Sequence, residues 1–379
     1  MPGLVLRNFR PVGFNGKTGA GELNIGADGL VAASAPEGAH VVDCGGAWLS
    51  PGWADLHVHV WHGGTDISIR ADEAGVKRGV TAMADAGSAG EASFHGLREY
   101  VIEKQRETVK AFVNIGSIGL VACNRVSELI DMRSIDVDRT LDVIEANRDV
   151  VCGVKVRASG VIVGAWGITP AKIAKRVAEI ARLPLMVHIG EPPPLIDEIF
   201  DILTPGDVVT HCFNGKKSGS IADTPQLMAM ARRLADSGVR MDIGHGAASY
   251  SFGVAKQAIA DGLKPFSIST DLHLRNIHGP VHDLATTVSK VHAAGLSFED
   301  CVDAICASPR GFLGLGDGDG LAPGSRADFT VFDVVDGDET VTDSLGHAMR
   351  LTRFFEPRHA ILGDSVFEAS RAHESRAAH

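Results

Sequence analysis

Ala54-Asp55-Leu56-His57-Val58-His59 is a short, mostly apolar run that ends in two histidines, and Pro51-Gly52 punctuates the chain just before it. Seven comparable runs follow: Thr81–Ala86, Ala111–Ser117, Val151–Arg157, Leu185–Ile189, Asp207–Cys212, Val239–Ile243 and Phe266–Thr270. Helix-like stretches lie between them, at Phe94–Lys110, Ala171–Ala181, Pro225–Ala235, Gly253–Ala260 and His282–Ala294. Eight strands alternating with helices is the count of a closed parallel sheet. Near-continuous apolar strands suit burial on both faces, so the pattern predicts an α/β fold of the (β/α)8 TIM-barrel type. A doubly wound open sheet is the competing arrangement.

Outward from the barrel the character changes. Residues 1–50 hold short β-like runs at Leu4-Val5-Leu6, Gly21–Ile25 and Val41-Val42-Asp43, separated by turns. After a helical piece at Phe298–Ala307 and the glycine-rich Gly314–Gly324, Arg326–Val335 again reads as a strand. Chain ends commonly lie close together, so both ends are expected to form one small β-sandwich domain beside the barrel. The expected division is 1–50 for its N-terminal part, 51–312 for the barrel, and 313–379 for its C-terminal part, with 365–379 a loosely held tail.

A chain of 379 residues has room for both units, and 45% apolar with 22% charged residues is ordinary for a globular protein. A net charge of -11 gives no general affinity for nucleic acid or anionic membrane. No window is apolar enough for a membrane span, and the first residues lack the pattern of a secretory signal. Six cysteines without a C-x2-C pair favour a reducing, cytoplasmic location without disulfides.

The polar residues within the strands cluster at their C-terminal ends, where barrel enzymes place their sites. His57 and His59 share one strand phase and can bind one ion; imidazole suits zinc, iron, cobalt or nickel. His188 and His211 close the fifth and sixth strands and read as further ligands. Lys155, in Cys152-Gly153-Val154-Lys155-Val156-Arg157, would be costly as an unpaired buried ammonium. It either pairs with an acid, reaches the rim, or is carboxylated by carbon dioxide into a bridging anion. Asp271, in Ser269-Thr270-Asp271-Leu272-His273, is either a helix cap or a ligand that also takes a proton from water. Arg157 shares the phase of Lys155 and either faces substrate or forms a salt bridge. His245 and His273 are candidate substrate contacts. Two ions could share the set, with His57 and His59 on one, His188 and His211 on the other, and Lys155 between.

This ordered set resembles the amidohydrolase superfamily, specifically its binuclear, dihydroorotase-like amidohydrolase/deacetylase members. The likeness runs from Pro51-Gly52 to Pro323-Gly324-Ser325-Arg326-Ala327-Asp328. It implies His57, His59, His188, His211 and Asp271 as ligands of two divalent ions, zinc first among them, with Lys155 carboxylated and Asp271 catalytic. It also implies the end-built β-sandwich. Two departures bear on substrate. Dihydroorotases usually carry an arginine two residues beyond the second histidine, and Trp61 stands there; the glutamate ligand of sugar-phosphate deacetylases is replaced by Lys155.

The expected reaction is hydrolysis of an acyl ester or amide in a small acylated hydroxy acid or amino acid derivative. The nucleophile would be a hydroxide generated at the metal centre, with Asp271 as general base and acid. Ring opening of a cyclic amide, as by a dihydroorotase or hydantoinase, is the alternative reaction. An inactive binding scaffold would have lost ligands, and all six are present. The only partner expected is a small acylated molecule, with no nucleic acid or membrane, and a homo-oligomer is compatible with the sequence.

Overall fold

The computed structural model describes residues 2–14, 21–123, 125–316 and 320–372. Seven parallel strands each pair with the next in the chain: β1 (Trp53–Val58), β2 (Val80–Gly90), β3 (Thr108–Asn114), β4 (Val151–Ala158), β5 (Leu185–Ile189), β6 (Val208–Thr210) and β7 (Arg240–Asp242). The eighth segment holds its expected place without regular strand form. Ser267 makes a parallel bridge to Asp242, and Leu272 makes one to Val58. The amides of Ile243 and Asp271 bond the carbonyls of Ser267 (3.0 Å) and His57 (2.6 Å), so the segment closes the barrel from both sides. Its ladder breaks because Asp271 adopts a left-handed backbone, φ 49°.

Small and large side chains fill the interior: Ala82, Ala84, Ala86, Phe112, Met186 and Val208, with Phe312 and Leu313 packed beneath. Helices cover the outside. Thr169–Ala181, Pro225–Asp236, Phe252–Ala260 and Leu284–Ala293 form close to where they are expected. The second starts with a Thr224 side-chain cap and proline at its first position, both standard for a helix N-terminus. The helix expected over Phe94–Lys110 is shorter. It stops at Tyr100, and Thr108-Val109 already belong to β3, as their β-branching favours. Val137–Ala146, capped by the Asp136 carboxylate, is a helix that the pattern reading passes over.

The chain ends supply two further sheets. One orders Val31–Ala32, Glu22–Ile25, Leu4–Arg7 and His40–Asp43. The other orders Ser365–Glu368, Ala348–Leu362, Asp328–Thr342, Trp48–Pro51 and Arg10–Pro11, so it mixes strands from both ends. Leu4, Leu6, Ile25 and Leu49 share one core with Phe329, Val331 and Ile361. The expectation of a loose tail is corrected as far as residue 372. Ser365–Glu368 is a strand, and Arg371 is buried, bonding Glu356 and Glu339 at 2.8 and 2.7 Å. Residues 373–379, and 317–319 of the glycine-rich segment, lie outside the described residues. All six cysteines are free, and among the described residues no helix is long and apolar enough to cross a membrane.

Candidate metal centre

The C-terminal ends of β1, β4, β5 and β6 bring His57, Lys155, His188 and His211 to the floor of one cavity, together with His59 and Asp271. The cavity has a volume of about 500 Å³. Asp271 Oδ1 lies 3.4 Å from His57 Nε2 and 3.1 Å from His59 Nε2. Lys155 Nζ is 3.3 Å from His57 Nε2, and His211 Nε2 is 2.9 Å from His188 Nδ1. Donor atoms of His57, His211 and Asp271 fall within 4.8 Å of one another.

The surrounding hydrogen bonds orient these rings. His211 Nδ1 faces the Gly244 carbonyl at 2.6 Å; a carbonyl only accepts, so Nδ1 carries the proton and Nε2 presents its lone pair. The Thr210 hydroxyl gives its single proton to Asp242 (2.7 Å) and therefore accepts from His57 Nδ1 at 2.8 Å. Ser267 and Ser269 also donate to Asp242, fixing that carboxylate. His59 Nδ1 pairs with Ser88 Oγ at 2.9 Å. Three imidazoles are thus tied through Nδ1 with Nε2 turned inward, as outer partners of metal-binding histidines do.

Burial holds His57 and His188 far below the ordinary imidazole range and brings His211 to about 3. All three are neutral, the form that ligates metal. Lys155 is 1% exposed, and among the described residues it has no carboxylate partner. Its amine touches His57 and the Met186 sulfur, and burial lowers its pKa to about 7. Gly87 makes room for it, since a Cβ there would lie 2.8 Å from the Lys155 stem. A buried amine without an acid, beside inward nitrogens and a carboxylate, is a donor set that fits divalent metal.

The remaining predicted contacts separate. Arg157 and His273 line the cavity, and burial brings His273 to about 4. Arg157 is held by the buried Glu128 through two bonds, of 2.7 and 2.6 Å. His245 does not reach the cavity. It is fully buried, stacked on Tyr250 at 4.6 Å between ring centroids, with Lys290 Nζ 3.1 Å from its Nε2. Trp61 is also absent from the cavity wall. Cavity residues that the strand pattern does not single out include Cys123, Arg125, Ser159, Glu191, Lys216 and Arg275. These stand on loops beyond the strands, where periodicity gives no signal.

Fold and site together define a barrel hydrolase with its polar chemistry gathered at the strand ends. The chain belongs to the amidohydrolase family, whose model matches residues 48–362. The deacetylase Atu3266 of Agrobacterium fabrum is 54% identical over 375 residues, covering 97% of this chain and 92% of that protein. A deacetylase of Brucella anthropi is 53% identical over 375 residues, covering 97% and 93%. A crystal structure of a protein named a dihydroorotase is 53% identical and superposes with a TM-score of 0.95, covering 98% of this chain and 99% of that one.

Proposed function

We propose that this chain is a binuclear metal-dependent deacylase that hydrolyses the ester or amide bond of a small acylated hydroxy acid or amino acid derivative. The observation that carries the reading is Asp271. Its carboxylate touches two inward imidazole nitrogens at the floor of a cavity of about 500 Å³, which suits a small substrate. The naming of two relatives more than half identical as deacetylases supports acyl transfer to water.

Two divalent ions, zinc first among them, would be held by His57 and His59 on one side and His188 and His211 on the other. Asp271 and a carboxylated Lys155 complete the set. When bound, such ions supply Lewis acidity, which lowers the pKa of the attacking water from about 15.7 towards about 7 and polarises the scissile carbonyl. Asp271 accepts the proton of the attacking water and passes it to the leaving alkoxide or amine. Arg157 and His273 face the substrate, while His245 acts indirectly by bracing the loop that carries Gly246. A Cβ on Gly246 would come within 2.5 Å of Asp271 Oδ2, so that loop sets the position of the carboxylate. The free cysteines support a cytoplasmic location.

Ring opening of a cyclic amide is the second reading, favoured by the relative named a dihydroorotase. Against it, position 61 offers no cation to the cavity. Turnover of a panel of acetyl esters, N-acetyl amides and cyclic imides decides between them. The deacylase reading expects the first two groups to be cleaved and fails if only cyclic imides are. Elemental analysis of active protein should give about two ions per chain. High-resolution density should show three extra heavy atoms on Lys155 Nζ.

A further inference from the structure

Besides Lys155, the cavity wall carries four cations, Arg125, Arg157, Lys216 and Arg275, against two carboxylates, Glu191 and Asp271. They are not equally available. Lys155 lies at the floor among the histidines. Arg157 spends its Nε and one terminal nitrogen on Glu128, a carboxylate with no exposure, so that pair is internally compensated. Arg125 is 75% exposed and stands 3.6 Å from Asp66, a solvent-screened position. Arg275 is exposed as well.

Lys216 differs from all of these. Its side chain is 14% exposed and turned into the cavity, and its carboxylate partner is the part-exposed Glu191, 3.1 Å away. Glu191 is itself shared, because Ser159 Oγ donates to it at 2.6 Å. An ammonium has three donors, and this arrangement uses few of them. The backbone beneath Lys216 is braced. Asn214 donates to the carbonyls of His211 and Gly219 at 3.0 and 3.1 Å, and accepts from the Lys216 amide at 3.0 Å. The loop that begins at His211 therefore presents Lys216 at a fixed offset from the histidine cluster. A charge held in place by its own backbone costs a ligand little ordering.

We infer that Lys216 is the docking group for a carboxylate on the substrate, so that the cavity selects small organic acids over their neutral analogues. The inference rests on the deacylase reading for which acids these are, but the docking itself can be measured without turnover. The probes are racemic N-acetylalanine and its neutral carboxamide, titrated calorimetrically into zinc-loaded protein and assayed for hydrolysis in parallel. Wild-type protein binds the acid more tightly than the amide. Lys216→Met loses about 10–100-fold in affinity for the acid, the range of one charge-assisted hydrogen bond, and leaves the amide unchanged. Lys216→Arg restores most of the preference. Glu191→Gln removes the competing carboxylate and strengthens it. Acid selectivity lost in Lys216→Met while the wild type cleaves none of the acetyl esters and N-acetyl amides of the panel would retire the deacylase reading and keep the docking site. Selectivity that survives Lys216→Met, that vanishes instead in Arg275→Met, or that is absent from the wild type overturns the assignment of Lys216.

Discussion

Asp271 is placed where a single atom change separates two roles. Its carboxylate oxygen lies within 3.1–3.4 Å of two imidazole nitrogens. Asparagine preserves the shape and one coordinating oxygen but cannot take up the proton of water. General acid–base contributions are about 10²–10⁴-fold, so Asp271→Asn should lose at least about 100-fold in kcat while keeping fold and most metal. Metal content, melting temperature and kcat measured on one preparation decide it; full metal with unchanged kcat removes Asp271 as the base. His57, Lys155 and His188 were legible because strand periodicity fixes direction, whereas His59, His211 and Asp271 lie just beyond regular strand, the last two with left-handed backbones (φ 68° and 49°), and were legible only from their place at a strand end. His245 shows where that rule stops. β7 ends at Asp242, and Gly244 and Gly246 then take left-handed conformations, φ 47° and 58°, which turn His245 away from the strand phase and under Tyr250. Lys216 and Glu191 gave no signal because each is an ordinary charged residue on a loop whose path the sequence does not encode.

At the scale of elements, the long hairpin of the end sheet reaches further than its pattern suggests. The sequence supports a strand to about Val335, where Asp336-Gly337-Asp338 has the composition of a turn. The chain instead absorbs those residues in a register shift between Asp336 and Glu339 and continues to Thr342. Its tip then meets the barrel. Ser344 Oγ donates to the Gly246 carbonyl at 2.8 Å, and the Thr342 carbonyl accepts from Lys290 Nζ at 2.8 Å. The same ammonium donates to the Pro280 carbonyl and contacts His245. Lys290 therefore joins three segments, the loop after β7, the loop around Pro280 and the hairpin, without a carboxylate bonded to it among the described residues. Lys290→Met fills similar volume but strips donors from two buried carbonyls, a cost of about 2–4 kcal/mol. Melting temperature should fall, and amide exchange should rise together at 244–250, 279–283 and 343–347, with metal content unchanged. Faster exchange confined to one of the three would show that they are not coupled through this side chain.

The whole molecule is a barrel spliced into a sheet built by the two ends of its own chain, and the described C-terminal residues fasten the joint. Counting eight alternating segments and two β-like ends was enough to reach that architecture. The clamp at Arg371 was not legible, because Ser370-Arg371-Ala372 reads as solvated tail until its partners are in place. Arg371 is 3% exposed, bonds Glu356 and Glu339, and lies 4.1 Å over the ring of Phe354. One residue further, the Ala372 amide bonds the carboxylate of Asp283, the cap of the barrel helix Leu284–Ala293, at 2.5 Å. Breaking a buried ion pair from one side costs about 3–5 kcal/mol; Glu339 is a third exposed, so about 2–3 kcal/mol is expected for Arg371→Ala. Lysine keeps the charge but not the two-pronged geometry or the stacking, so the melting temperatures should rank wild type, then Arg371→Lys, then Arg371→Ala. Because the pair is buried, the gap should persist in 0.5 M salt, about where exposed pairs are screened within a few ångströms. Turnover per bound metal should stay near wild type in the surviving folded protein, since Arg371 does not line the cavity. Equal melting of all three proteins would mean that the C-terminal strand and its arginine ride on the sheet without holding it; a gap that disappears in salt would mean that the pair behaves as a surface contact.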